Sequence, residues 1–289
     1  MVGIVLAGGT GSRLYPLTKS TSKQLLPVFD KPMVFYPIAT LMLAGINQIA
    51  IITTPSDQED FKKLLGDGSG FGVQFTYLIQ REPKGLADAF LVARNFIGSN
   101  SVALILGDNI FHGTSLGAQL KKFRNLEGAQ IFGYHVASPG NYGVAEMNLK
   151  GELISIEEKP LVPKSQIAIP GLYFYDNTVV KKAEQVKPSP RGELEITTIN
   201  QMYLAEKRLK LEVLQRGTAW FDSGSYIDLF EASSYIRVIQ ERQGYKVACL
   251  EEIAFRNGWL DTNDLREIIS VNANKSYSEY LEQLIGTVN

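Results

Sequence analysis

A short apolar run, Val2 to Leu6, ends in Ala7-Gly8-Gly9-Thr10-Gly11-Ser12-Arg13, and this junction constrains the fold more than any other stretch. An uninterrupted apolar run suits a strand buried on both faces, as in a parallel sheet covered by helices. A glycine-rich turn at its end lets backbone N–H groups come close to a ligand, which suits phosphate. Arg13 adds a bidentate fork, and Lys23, in Lys23-Gln24-Leu25-Leu26-Pro27, adds a point charge. Together they predict a nucleoside triphosphate site. Spacing excludes two other phosphate loops. Leu14 stands where Gly-x-Gly-x-x-Gly needs its third glycine, and no Gly-Lys pair exists to make a P-loop.

Similar apolar runs recur at residues 49–53 and 102–106, separated by helical patterns. The clearest follows Pro83-Lys84-Gly85, where Leu86, Ala89, Phe90, Ala93 and Ile97 share a face and predict one helix. A further strand is expected over 73–79. This rhythm predicts a Rossmann-like three-layer α/β/α fold with a mixed, mainly parallel sheet. From about residue 129 the strands crowd together, at 131–136, 143–147, 153–157 and 168–175, and extend the sheet. Helices are expected over 195–205 and 225–240. In the tail, Tyr277, Tyr280, Leu281, Leu284 and Ile285 form a stripe that either packs on its own domain or contacts another subunit. Residues 1–289 are therefore expected to form one unit, with an α/β core over 1–224 and a helical part over 225–289 that carries subunit contacts.

A net charge of −1 leaves no basic field to hold nucleic acid. The lone cysteine, Cys249, excludes an intramolecular disulfide, and two histidines, His112 and His135, argue against a histidine-rich metal site. No apolar segment reaches the ~18 residues of a membrane span, and the first residues do not read as a signal peptide. A cytoplasmic enzyme that binds neither nucleic acid nor membrane is expected.

Asp108 follows the buried strand in Leu106-Gly107-Asp108-Asn109. Ligands of open α/β sheets sit beyond the carboxyl ends of strands, so this carboxylate faces the crevice of the glycine loop. A carboxylate beside a triphosphate needs a cation between them, and Mg2+, held by one or two carboxylates and phosphate oxygens, is the suitable one. The alternative is an Asp that caps the next turn. Asp222, in Trp220-Phe221-Asp222-Ser223-Gly224, is a second carboxylate with the same ambiguity. Glu158 and Lys159, in Glu157-Glu158-Lys159-Pro160, would face opposite ways on a regular strand, unless Pro160 twists the segment. There a carboxylate would accept from sugar hydroxyls and an ammonium would attract a sugar phosphate, whereas a solvated charge pair is the plainer reading. Arg191, in Arg191-Gly192-Glu193-Leu194-Glu195, is equally open.

These segments, with Gly85-Leu86-Ala87-Asp88-Ala89-Phe90 and Gly171-Leu172-Tyr173-Phe174-Tyr175-Asp176, resemble the sugar nucleotidylyltransferase family over nearly the whole chain. The resemblance implies transfer of a thymidylyl group from dTTP to glucose 1-phosphate, giving dTDP-glucose and pyrophosphate, the first step of dTDP-rhamnose-type deoxysugar synthesis. A uridylyl or other sugar 1-phosphate transferase is the near alternative. A non-catalytic nucleotide-sugar sensor would be expected to lack one of Arg13, Lys23, Asp108 and Asp222, and all four are present.

By the same resemblance Gly8, Gly9, Gly11, Ser12, Arg13 and Lys23 hold the triphosphate, and Asp108 and Asp222 bind Mg2+. Gln24, Gln80 and Gly85 lie on the base side. Gly143, Glu158 and Tyr173 lie on the sugar side, with Lys159 and Arg191 on the sugar phosphate. A homotetramer is implied, with feedback inhibition by dTDP-rhamnose at a second site near Glu251-Glu252-Ile253-Ala254-Phe255-Arg256-Asn257-Gly258-Trp259. Arg81, Lys84 and Pro170 depart from the family pattern, which bears on nucleotide and sugar preference.

Overall fold

The computed structural model describes residues 1–9 and 11–286. The first half of the chain contributes strands β1 (Val2–Leu6), β2 (Pro27–Val28), β3 (Lys31–Pro32), β4 (Gln48–Thr53), β5 (Gln74–Ile79), β6 (Val102–Leu106) and β7 (Asn109–His112). The second half adds β8 (Ala129–His135), β9 (Gly143–Met147), β10 (Leu153–Glu158), β11 (Ile167–Ile169), β12 (Leu172–Tyr175), β13 (Leu209–Val213) and β14 (Ala219–Asp222). One large sheet runs β10-β9-β11-β8-β12-β6-β1-β4-β5, with β13 paired to β8. β1 lies parallel between β4 and β6, and β4 is parallel to β5, as uninterrupted apolar strands should be. The part built from β8 to β12 is antiparallel, so the sheet is mixed.

Helices cover both faces: α1 (Phe35–Leu43), α2 (Gln58–Leu65), α3 (Asp88–Val92), α4 (Arg94–Ile97), α5 (Leu116–Lys121), α6 (Val179–Ala183) and α7 (Ile196–Ala205). Four more follow β14, namely α8 (Tyr226–Gln243), α9 (Leu250–Arg256), α10 (Thr262–Val271) and α11 (Lys275–Gly286). Alternate strand residues feed two cores. Val5, Ile49, Ile51 and Ile105 meet Ile38, Leu41, Phe61, Leu120, Leu250 and Leu265 on one face. On the other face Ile4, Ala50, Ile52 and Leu104 meet Phe90, Ile97, Val179, Ile199 and Tyr203. The three layers match the expected architecture, and α9 and α10 belong to the same core as α1. The tail stripe packs within the chain, where Tyr280, Leu281 and Leu284 are buried with Cys249.

Two expectations change. The helix over 86–97 divides at Ala93 (φ −90°, ψ 8°), although Ala89, Phe90, Ala93 and Ile97 all stay buried. The strand over 168–175 is two, β11 and β12, because Pro170 has no N–H to give a ladder and the Gly171 N–H donates instead to Asn109 Oδ1 at 2.9 Å.

Between core and α8, His112 at the end of β7 bonds Tyr235 through Nδ1 (2.8 Å) and Tyr245 through Nε2 (3.2 Å). Burial lowers its pKa from 6.5. Unfolded chains take up this proton at a higher pH than the folded protein, so stability is full above about pH 6.5 and falls as pH drops below it. Thermal melts should therefore show a Tm loss between pH 7.5 and 5.5 that is smaller in His112→Gln. An unchanged difference would remove His112 from the acid response.

Candidate active site

β7 and β14 form a two-stranded antiparallel ribbon in which Asp222 stands opposite Asn109, and the Ser223 N–H donates to the Asp108 carbonyl at 3.0 Å. The ribbon brings Asp108, which precedes β7, and Asp222, which ends β14, to one place, a meeting that sequence separation could not show. Lys23 forms an ion pair with Asp108, and Asn109 Nδ2 donates to its other oxygen at 3.0 Å. Burial works against the Asp108 charge, but the Lys23 ammonium and these hydrogen bonds outweigh it and hold the carboxyl below its usual range. Among the described residues Asp222 has no such partner, and burial and the neighbouring Asp108 charge push it up to about 6.

Asp108 is shared by two cavities. The smaller, about 200 Å³, is lined by Gly8, Gly9, Lys23, Gln24, Gln80 and Gly85. The larger, about 230 Å³, is lined by Arg13, Gly143, Glu158, Lys159, Tyr173, Arg191 and Asp222. With the exceptions of Gly11, Ser12 and Arg13, the expected nucleotide-side and sugar-side residues fall one set to each cavity. Gly11 and Ser12 line neither and turn the chain into a short 3-10 helix over Ser12–Leu14. The Arg13 guanidinium instead reaches the larger cavity and lies 2.6 Å from where a Cβ on Gly224 would stand.

Gly8 brings its backbone close to Gln80, whose Oε1 lies 3.2 Å from where a Cβ would be. Gly85 is left-handed (φ +107°), and a Cβ there would come within 2.6 Å of the Leu194 backbone. Leu194 N–H donates to the Lys84 carbonyl at 2.7 Å and the Ala87 N–H to the Leu194 carbonyl at 3.0 Å. The base-side loop and the Arg191 loop are thereby fastened together.

In the larger cavity Glu158 and Gly143 are cross-strand partners on β10 and β9. Lys159 follows with φ +43°, a left-handed turn that breaks strand alternation and lets Glu158 and Lys159 face the same cavity. Arg191 is held by Glu193 at 3.2 Å and Glu195 at 2.9 Å, with Glu158 at 3.8 Å. Tyr173 is buried on β12, and burial pushes its phenol well up.

Three residues that sequence reasoning passed over also shape the site. Asn109 Oδ1 accepts from Trp220 Nε1 at 2.7 Å as well as from Gly171. Thr197 donates to Glu158 Oε2, and Asp88 accepts from Gln80 Nε2. Asn109 was signalled only by its place beside Asp108.

The donor set also fits a hard cation. Two mutually repelling carboxylates face one cleft, and among the described residues no group of three or more His, Cys, Asp or Glu side chains is placed to hold a metal ion. An ion held there by two carboxylates would take its other ligands from substrate phosphates and water, as Mg2+ does.

A family model described as nucleotidyl transferase matches residues 2–238. The chain belongs to the nucleotidyl transferase family. This nucleotidyltransferase is 52% identical over 285 residues to the glucose-1-phosphate thymidylyltransferase of Mycobacterium tuberculosis, covering 99% of each chain. It is 51% identical over 286 residues to that of Neisseria meningitidis, covering 99% of each. A crystal structure titled as a putative glucose-1-phosphate thymidylyltransferase from Bacillus anthracis superposes with a TM-score of 0.76 at 41% identity, over 82% of this chain and 95% of that one. A UDP-glucose pyrophosphorylase shares the fold at TM-score 0.73 and 24% identity. No described helix of the transferase is long and apolar enough to cross a membrane.

Proposed function

We propose that the transferase joins dTTP to glucose 1-phosphate, releasing pyrophosphate and dTDP-glucose. The observation that carries this is the pair of abutting cavities with Asp108 common to both. A nucleotide in the smaller cavity presents its α-phosphorus at the shared wall, where a sugar phosphate in the larger cavity reaches it. Direct attack needs no covalent enzyme intermediate, so the protein contributes orientation and charge neutralisation.

Lys23 would exchange Asp108 for the α-phosphate as charge grows there, and Arg13 would meet the phosphates from the larger cavity. Asp108 and Asp222 would hold Mg2+, which when bound neutralises the triphosphate. The Gly85 N–H has no hydrogen-bond partner among the described residues and would donate to a base carbonyl. Glu158, fixed by Thr197, would accept from sugar hydroxyls, while Lys159 and Arg191 would receive the sugar phosphate. With α-thio-dTTP of defined configuration, one in-line displacement inverts the α-phosphorus, and retention would indicate a covalent intermediate instead. Glu158→Gln should raise KM for glucose 1-phosphate ~10-fold, the scale of a charged hydrogen bond weakened to a neutral one, with KM for dTTP nearly unchanged. Steady-state kinetics in each substrate checks this, and equal shifts in both would displace Glu158 from the sugar side.

Feedback by dTDP-rhamnose belongs to the same reading. Glu252, Ile253, Arg256 and Asn257 line a separate cavity of about 360 Å³ with Lys121 and Lys246, whose cations suit a diphosphate. Homotetramer contacts are proposed for α8, where Ile227 and Phe230 are 70% and 73% exposed.

A further inference from the structure

Gln80 is buried at the edge of the smaller cavity, and its amide can be read unambiguously. Nε2 donates to Asp88 Oδ2 at 2.8 Å and points at the Gly85 carbonyl at 3.4 Å. Both partners are acceptors only, a carboxylate and a backbone carbonyl. Turning the amide over would set its oxygen against both, so the nitrogen faces Asp88 and the oxygen faces away. Oε1 comes to lie against Gly8, and among the described residues no donor meets it. The smaller cavity therefore meets its ligand with a hydrogen-bond acceptor at this point.

We propose that Asp88 is a specificity-determining positioning residue. By fixing the Gln80 amide it makes the cavity accept a base whose ring nitrogen carries a hydrogen and refuse one whose ring nitrogen has only a lone pair. Thymine and uracil are of the first kind, and cytosine is of the second. Asp88 touches no substrate; it acts through Gln80, from the first turn of α3. This rests on the proposed placing of the nucleotide in the smaller cavity. It does not separate thymine from uracil, whose N3–H and carbonyls are alike, and it makes no use of the methyl group. dCTP is the informative competitor, because it matches the other pyrimidine nucleotides in size and charge and differs in hydrogen-bond polarity.

The test compares kcat/KM for dTTP and dCTP, each with saturating glucose 1-phosphate, in the wild-type protein and in Asp88→Ala and Asp88→Asn. Alanine removes the acceptor and lets the Gln80 amide turn. The dTTP-to-dCTP ratio should fall ~10-fold, the scale of one hydrogen bond that faces a like group. Asparagine keeps an oxygen of the same reach, so its ratio should stay near the wild-type value. A purely structural role for Asp88 would lower both substrates together and leave the ratio unmoved. An unchanged ratio in folded Asp88→Ala, or an equal fall in both variants, overturns the proposal. If the alanine variant does not fold, Asp88→Ser, too short to reach Gln80, carries the same expectation. Wild-type protein that uses neither dTTP nor UTP would contradict the nucleotidyl-transfer reading itself, a result distinct from an unmoved ratio.

Discussion

Replacing Asp108 by Asn is expected to cut turnover by at least ~10²-fold, the scale of losing one charge contact in the transition state. The substitution keeps the shape of the side chain and an oxygen that can accept from Lys23, so the fold and the wall between the cavities should survive. What disappears is the negative charge that faces Asp222 and gives the pair its affinity for a divalent cation. The loss should appear mainly in kcat at saturating substrates, and raising the Mg2+ concentration should recover only part of it. Initial-rate measurements across a Mg2+ series check this. A rate equal to wild type at saturating Mg2+ would remove Asp108 from the mechanism.

Lys23→Met should be as severe, ~10²–10³-fold in kcat, and it should also move the pH profile. In the free protein Lys23 holds the Asp108 carboxyl down and opposes the rise of Asp222 to about 6. The two carboxyls titrate as a coupled pair, so the acid limb of activity belongs to both. Wild-type kcat/KM should therefore decline as pH falls through about 6, because the charged pair is what binds the cation. Without Lys23, burial raises both groups against weaker opposition from Asn109 and Arg13, and the acid limb should shift to higher pH. A lowered rate with an unmoved limb would assign Lys23 to phosphate binding alone and contradict its hold on Asp108.

The parallel half of the fold was legible because its strands are continuous apolar runs, and Val2–Leu6 and Val102–Leu106 appear with the bounds expected of them. The antiparallel half was less so. Pro170-Gly171 interrupts what reads as one strand, and the reason is a side chain 62 residues away, Asn109, that claims the Gly171 N–H. In the candidate site, Glu158 and Lys159 were ambiguous because strand alternation parts neighbours, and the left-handed turn at Lys159 that reunites them has no local glycine to announce it. Asp108 and Asp222 could not be paired from spacing, since only the β7–β14 ribbon brings them together. Arg13 was read with its glycine loop, yet its guanidinium packs against Gly224 across the site. Asp88 stood out only as part of the segment from Gly85 to Phe90, with no role of its own, and its hold on Gln80 depends on how α3 docks beside β5.

The central claim, that the two cavities hold a nucleotide and a sugar phosphate on either side of Asp108, is tested most directly by following pyrophosphate release from dTTP with Mg2+ present. Release should require glucose 1-phosphate and should match, mole for mole, the dTDP-glucose formed. Release at the same rate without the sugar phosphate would contradict it, whereas activity with UTP and none with dTTP would overturn only the choice of nucleotide.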